Sequence, residues 1–458
     1  MGDKLKCFTA YDVRGEVGKD FDVNIAQRIA KSIVEHFGAK KVVISIDCRE
    51  SSVEIKNAIV QGLHYMGSDI LDIGMAGTEE MYWAVTDSRA CVGIQVTASH
   101  NPLNYNGLKI VKARSRPLDY DKDLFPIKLC AERDGWPAKK RCGTIARIGK
   151  KARQSYLKKI LSFMNIAQVR PLKILANCGS GTAGPTVNML ISELKNLNFP
   201  LEFEVINDKP DPHFKNGSPD PLTPESVRQT SAAVKRVGAD FGISFDGDFD
   251  RCIFFDETGK LIQNEYIIGI LTEVMLSKFP GGGIIQDVRS IWSVKNSASK
   301  YSGKIFLSKA GHTHMKEALR LHDAIYGGEI SAHHYFRDFV RCDSGMIPWL
   351  LMIQYLSEAQ IAMSEIINFR RDKNPSSGEI NFVVENKQAA MRDVENVFAG
   401  GSEKTHFFDG LTCEYQDWRF NLRQSQTENF LRLNVESKQN LELLREKVKA
   451  LEDVISRH

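Results

Sequence analysis

The chain has 458 residues, 42% of them hydrophobic and 26% charged, a balance that fills the cores of several domains and excludes a disordered or fibrous chain. Its net charge of +4 is too small and too evenly spread to point to a nucleic-acid partner. Nine widely spaced cysteines without a CxxC pair favour neither a disulfide framework nor a zinc site, and the opening stretch MGDKLKCFTAYDVRG lacks an apolar leader, so the expected compartment is a reducing cytoplasm.

Ile25, Ile29, Ile33 and Phe37 recur every fourth residue and predict an amphipathic helix over 22–37, closed by Gly38. The strand KVVISID follows, then a helix near 52–66, the strand DILDIG and the strand CVGIQVT, which runs into the motif TASHNP. The alternation returns with LKILANC, a helix, LEFEVIN, another helix and DFGISF. It returns a third time with a helix near 264–278, GIIQDV, KIFLSK and DAIYGGE. This βαβ grammar favours parallel sheets with helices outside. The run GMIPWLLMIQYL is short and holds proline and glutamine, so it reads as a buried helix and not a membrane span. After about 370 the strands GEINFVVEN, THFFDG, LTCEYQDWRFNL and FLRLNVE, bracketed by helices, predict a separate α+β domain. The expected domains are 1–150, 151–255, 256–370 and 371–458.

Asp246, Asp248 and Asp250 in SFDGDFDR follow an apolar strand; an extended segment would point all three carboxylates to one face. Such a cluster repels itself unless a cation joins it, and hard oxygen ligands suit Mg²⁺ or Ca²⁺. An EF-hand is set aside because its sixth position, which needs glycine, is Arg251. Ser99 lies at the C-terminal end of a predicted parallel strand, where open α/β sheets gather ligand chemistry. Alone it would be an ordinary turn serine. His100 is adjacent, however, and Asn106-Gly107 predicts a tight turn that brings Lys109 back alongside. Glu329, Ser331 and His333 in YGGEISAHHYFRD offer groups for sugar hydroxyls, and Arg423, Ser425 and Thr427 in RQSQTEN offer donors for a phosphate.

In this order, TASHNP, DGDFDR, GGEISAHHYFRDF and RQSQTEN resemble the phosphoserine, metal, sugar and phosphate loops of the α-D-phosphohexomutase family, most closely its bacterial phosphomannomutase branch. The resemblance spans the whole chain. It implies three related α/β mixed-sheet domains plus a C-terminal α+β domain around a central cleft. It implies that Ser99 carries a transferable phosphoryl group and holds Mg²⁺ together with Asp246, Asp248 and Asp250. Arg14, His100 and Lys109 would line the reacting phosphate, with either His100 or Lys109 as general base, and Arg251 and Arg289 would line the cleft. Glu329 and Ser331, with His333 nearby, would bind sugar hydroxyls, and Arg423, Ser425, Gln426 and Thr427 would hold the phosphate that is not reacting.

The implied activity is interconversion of mannose 6-phosphate and mannose 1-phosphate through a hexose 1,6-bisphosphate, which also serves as activator, in supply of GDP-mannose. The alternatives are a phosphoglucomutase of the same family or a low-activity sugar-phosphate-binding protein. The implied partner is a hexose phosphate, with neither nucleic acid nor membrane, for a monomer or homodimer. Three positions depart from the family pattern: Gln426 stands for asparagine, Asn429 for proline and Ile330 for methionine.

Overall fold

The computed structural model describes residues 5–133, 135–136, 142–164, 169–425 and 430–458. These form two compact units, Met1–Leu261 with His333–Gln360, and Ile262–Ala332 with Ile361–His458.

The first unit carries two sheets. One orders its strands Val13–Glu16, Tyr105–Lys112, Val92–Val96, Lys41–Ile46, Asp69–Met75 and Ile145–Arg147, with Arg116–Pro117 beside Tyr105–Lys112. Its centre is parallel, but Tyr105–Lys112 runs antiparallel to Val92–Val96 and to Val13–Glu16. The sheet is therefore mixed. The helix Val23–Phe37 begins where Asp22 accepts the N–H of Ile25 at 2.8 Å and ends at Gly38, φ 59°. It buries Ala26, Ile29 and Ile33 in a core shared with Ile59, Val42, Ile94 and Leu108. The second sheet orders Cys252–Asp256, Phe241–Phe245, Leu172–Asn177 and Leu201–Ile206, again parallel at its centre, with Cys252–Asp256 antiparallel to Phe241–Phe245. The hairpin of His334–Phe336 and Cys342–Asp343 and the buried helix Met346–Ala359 complete this unit.

In the second unit, Lys304–Ser308, Gly283–Asp287 and Tyr326–Gly328 form parallel pairs, accompanied by the helices Asn264–Lys278, Trp292–Ser299 and His312–Leu321. The remainder is an antiparallel five-stranded sheet in the order Ser376–Phe382, Leu431–Ser437, Trp418–Gln424, Leu411–Glu414 and Lys404–His406. The helices Lys387–Phe398 and Leu441–Ile455 bury Val394, Leu444 and Leu451 against Phe420, Leu422 and Leu433. Among the described residues, no helix is long and apolar enough to cross a membrane.

The sequence reading placed a tight turn at Asn106-Gly107, and the structure corrects it. Both residues lie inside the strand Tyr105–Lys112, and Asn106 bonds sideways to Ser51 and Ser52 at 2.8 and 2.9 Å. Glycine at 107 answers a different need. A Cβ there would lie 2.0 Å from the carbonyl oxygen of Val13, so only glycine lets the edge strand Val13–Glu16 approach. Gly107→Ala is accordingly expected to cost about 3 kcal/mol by overpacking, read as a lower urea midpoint at unchanged m value. A wild-type midpoint would mean that the edge strand yields at no cost.

Candidate active site

Two loops of the first unit meet, and each leaves the C-terminal end of a parallel strand. Val92–Val96 leads into residues 97–104, and Phe241–Phe245 leads into residues 246–251. Ser99 is buried with φ 50°, its N–H donates to Thr97 Oγ1 at 2.9 Å, and its hydroxyl donates to Asp246 Oδ2 at 2.9 Å. His100 Nδ1 lies 3.3 Å from the same hydroxyl.

The loop of the three aspartates is a turn and not the extended segment that their alternation would give. Phe249 N–H donates back to Asp246 O at 3.0 Å, and Phe249 has φ 47°. The turn nevertheless gathers one oxygen from each of Asp246, Asp248 and Asp250 within 4.8 Å. Its fit is tight: a Cβ on Gly77 would sit 2.2 Å from the Phe249 ring, and one on Gly247 would sit 2.8 Å from Ser99 O.

All three carboxylates are buried, and Lys109 answers part of their charge, with Nζ 2.7 Å from Asp248 Oδ2 and 2.5 Å from Asp250 Oδ2. Burial and the neighbouring carboxylates push Asp246 up to about 8. Asp250 goes the other way: burial opposes its charge, but Lys109 and His333 hold it well below the ordinary range. Burial likewise opposes the charge of Lys109, yet Asp248 and Asp250 lift its pKa above the usual lysine value. His100 is driven well below the ordinary histidine value by the positive charge of Arg251 first, then by burial, Arg14 and Lys109.

Arg251 donates through Nε to His333 Nε2 at 3.3 Å, and its N–H donates to Asp246 Oδ1 at 3.2 Å. Arg14 reaches the Ser99 loop, donating to Ala98 O and to Asn101 Oδ1, both at 2.6 Å, while Asp12 holds its other edge. The structure thus gathers Arg14, Ser99, His100, Lys109, Asp246, Asp248, Asp250, Arg251 and His333 in one unit. Asp248 Oδ1 and Asp250 Oδ1 are buried without a hydrogen-bond partner, and His333 Nε2 stands 3.5 Å from the latter. Orphaned carboxylate oxygens in a buried cluster of hard donors fit a divalent cation such as Mg²⁺.

The sequence reading missed three residues that build this site. Thr78 donates its hydroxyl to Asp248 Oδ2, and its N–H goes to Asp248 O at 3.1 Å. Glu79 is fully buried and accepts from Gly345 N at 2.9 Å, Met346 N at 3.1 Å and the Ser344 hydroxyl, capping the helix Met346–Ala359. Arg49 holds the Ser99 loop from below. Its place after the strand Lys41–Ile46 matches that of Ser99 after Val92–Val96, and that shared position was the available signal.

The second unit holds the other expected groups. Arg289 is gripped by Asp287 at 2.8 and 3.1 Å, donates to Glu379 Oε2 at 3.1 Å and stands 3.7 Å from Glu329 Oε1. Glu379, which the motifs did not reveal, also faces Arg432 at 3.3 Å and Arg423 at 3.6 Å. Burial opposes its charge, but the three arginines keep it below the ordinary carboxylate range. Glu329 Oε1 accepts the N–H of Gly311 at 2.7 Å. The N–H groups of Ile330 and Ser425 donate to Asp287 Oδ2 at 3.0 Å and to Phe430 O at 2.9 Å, and Ser331 lies in the loop after Tyr326–Gly328. Gln426, Thr427 and Asn429 lie outside the described residues.

A seryl hydroxyl bonded into a buried carboxylate trio that fits a divalent cation, on mixed α/β sheets, is suited to metal-assisted group transfer at the serine. Comparison with known proteins narrows this. Models of phosphoglucomutase/phosphomannomutase α/β/α domains I, II and III match residues 5–124, 154–259 and 263–372. The chain is 43% identical over 450 residues to a phosphomannomutase of Salmonella typhimurium, covering 98% of each chain. It is 43% identical over 460 residues to one of Vibrio cholerae, covering 99% of each. A solved structure of a phosphoglucomutase/phosphomannomutase family protein from Burkholderia thailandensis superposes with TM-score 0.84 at 26% identity, covering 99% of this chain and 98% of that one. The chain belongs to the phosphoglucomutase/phosphomannomutase family, the α-D-phosphohexomutases, and is an intramolecular phosphotransferase most like the phosphomannomutases.

Two outcomes follow from this geometry. Mg²⁺ at about 100 times its dissociation constant is expected to stabilise the protein by about 2.7 kcal/mol, read as a rise in Tm that Asp248→Asn abolishes. Equal responses of the two proteins would place the ion elsewhere. Burial raises Glu79 from 4.5 to about 8, so the folded state holds a proton there that the unfolded chain releases. That contribution is complete at low pH and is lost as pH rises through about 8. Glu79→Gln is therefore expected to match wild type in Tm near pH 5 and to surpass it progressively towards pH 9; parallel Tm profiles would refute the shift.

Proposed function

We propose that this chain interconverts mannose 6-phosphate and mannose 1-phosphate through phospho-Ser99 and a hexose 1,6-bisphosphate, supplying mannose 1-phosphate for GDP-mannose synthesis in the cytoplasm. The observation that carries the reading is the buried Ser99 hydroxyl, 2.9 Å from Asp246 in the trio of carboxylates, with Lys109 bonded to the other two. The choice of mannose is supported by the relatives named phosphomannomutase.

Asp246, Asp248, Asp250 and an oxygen of phospho-Ser99 would hold Mg²⁺, which when bound supplies charge neutralisation at the transferring phosphoryl group. The phosphoryl group leaves Ser99 Oγ for a sugar hydroxyl, whose proton is taken up by a neighbouring base and restored to Ser99 Oγ; in the return step the Ser99 proton passes in the same way to the sugar oxygen that is released. The bisphosphate then presents its other phosphate, whose bond to the sugar breaks as Ser99 Oγ is phosphorylated again. The return step needs a proton acceptor beside Ser99. Of the two candidates, His100 is the better placed, because it is kept neutral and lies 3.3 Å from Oγ. Lys109 stays protonated and bonded to Asp248 and Asp250.

Arg14 and Arg251 would line the reacting phosphate. Glu329, Ser331 and His333 would meet the sugar hydroxyls, and Arg289, Arg423, Ser425, Gln426 and Thr427 would hold the second phosphate. The four domains, bounded near 150, 255 and 370, would divide this work into phosphoserine, metal, sugar and phosphate loops.

The test supplies mannose 1-phosphate and glucose 1-phosphate separately, with Mg²⁺ and a trace of hexose 1,6-bisphosphate as activator. Conversion of both with a preference for mannose is expected, and Ser99→Ala should abolish turnover while sparing sugar-phosphate binding. A preference for glucose would overturn the substrate assignment. Undiminished turnover by Ser99→Ala would overturn the mechanism.

A further inference from the structure

Arg49 is 3% exposed and stands just beyond the strand Lys41–Ile46, far in sequence from the loop that it grips. Nη1 donates to the carbonyls of Pro102 at 2.6 Å and Tyr105 at 3.0 Å, and Nη2 donates to those of Ser99 at 2.8 Å and Asn101 at 2.6 Å. Its Nε faces Asp47 Oδ2 at 3.3 Å. Asp47 is fixed in turn by the Arg49 N–H at 3.0 Å and the Ser52 hydroxyl at 2.5 Å.

Four main-chain carbonyls between Ser99 and Tyr105, three in the loop and one at the start of the strand that follows it, thus converge on a single planar fork, a geometry that a point charge cannot reproduce. Burial lowers the pKa of Arg49 while Asp47 opposes that shift. The loop needs such a grip. Ser99 sits at φ 50°, a left-handed conformation that is strained for a serine and persists only when its surroundings impose it. With the Ser99 carbonyl tied to Arg49, the hydroxyl is left to Asp246.

We propose that Arg49 is the positioning residue of the phosphoryl-carrying loop: it sets the place of Ser99 Oγ against the carboxylates of the metal loop through the backbone alone. The grip uses no side-chain atom of Ser99, so it is the same whether Oγ is free or phosphorylated. Arg14 differs, because it reaches the Asn101 side chain as well as Ala98 O. The inference rests on Ser99 as the phosphoryl carrier.

The experiment compares Arg49→Lys, Arg49→Ala and Ser99→Ala in the full chain, by steady-state mutase kinetics with Tm as the check of folding. Arg49→Lys keeps the charge but loses the fork. Its kcat is expected to fall by about 10²-fold, the scale of a displacement near 1 Å, with KM within threefold of wild type. Millimolar guanidinium should restore part of the kcat of Arg49→Ala, and ammonium should not. A folded Arg49→Lys with wild-type kcat overturns the proposal. If neither Arg49 variant folds, Asp47→Asn, which frees the guanidinium from its anchor, must lower kcat at unchanged KM; wild-type kcat there overturns it equally. Ser99→Ala separates the two levels. Turnover by that variant removes the Ser99 reading itself, whereas its inactivity beside an unimpaired Arg49→Lys removes only the role of Arg49.

Discussion

The structure of the first unit turns on the burial of three carboxylates in one turn. Taking an ion out of water costs several kcal/mol even after relaxation, and Asp246, Asp248 and Asp250 add mutual repulsion to that cost. Lys109 is the cation that the chain itself supplies, and it reaches Asp248 and Asp250 only because Tyr105–Lys112 returns antiparallel beside Val92–Val96. That strand also pairs with Val13–Glu16, which carries Arg14, and the pairing requires glycine at 107. A backbone contact at the sheet edge thus sets which side chains meet at the turn. The charge divides unevenly within the trio: Asp250 is held ionised, whereas Asp246, which receives the Ser99 hydroxyl, is pushed up. Asp246, whose charge burial and its neighbours oppose, is the carboxylate of the two that gains more from an added cation.

The same device is built twice. In each sheet a parallel strand ends in a loop of the candidate site, and the chain then returns as an antiparallel neighbour: Val92–Val96 with Tyr105–Lys112, and Phe241–Phe245 with Cys252–Asp256. A loop closed by two paired strands has both ends fixed. The two loops also hold each other, at Ser99 with Asp246 and at Gly247 with the Ser99 carbonyl, and Thr78, which begins the helix Thr78–Asp87, holds Asp248 from outside both. Close approach of the two loops leaves no room for a Cβ at Gly247, and the Phe249 ring leaves none at Gly77. Groups held in this way are ordered in advance, which is what electrostatic catalysis of phosphoryl transfer asks of a protein.

The parts legible in the sequence are those whose cause is local. Periodicity placed the helix Val23–Phe37 with its terminal Gly38, and apolar runs placed most strands, because burial of one face leaves its mark at short range. Ser99 and the three aspartates, which the structure brings together, stood out because they follow predicted strand ends, where open α/β sheets gather ligand groups. The misreadings also have a local cause. Asn106-Gly107 carries the signature of a hairpin turn, but its glycine serves a neighbour ninety-odd residues away in sequence, which no window of the sequence contains. The aspartates alternate as if on a strand, yet Phe249 turns the chain among them. Arg49, Thr78, Glu79 and Glu379 act on groups distant in the chain, and a lone arginine or glutamate carries no pattern by which to find it.

The second unit poses the opposite electrostatic problem. Arg289, Arg423 and Arg432 crowd around Glu379, and two of the three are buried. Guanidinium groups so close repel one another, and Glu379 with Asp287 offsets this while fixing their orientation. Arg419 and Glu436, themselves buried and paired at 2.8 Å, extend the arrangement: Arg419 donates to the carbonyls of Val288 and Arg289, and Glu436 accepts from Ser290, Ile291 and Trp292. The loop that carries Arg289 is therefore anchored on the strands Trp418–Gln424 and Leu431–Ser437, which also carry Arg423 and Arg432. Arginines ordered in advance lose little side-chain entropy when an anion arrives, and carboxylates that share them keep the hold from becoming too strong. For the reaction proposed, moderation matters as much as affinity. A clamp for either phosphate of a bisphosphate would have to let go within a turnover, and Glu379, already bonded among its arginines, would compete with the phosphate for them and ease its release.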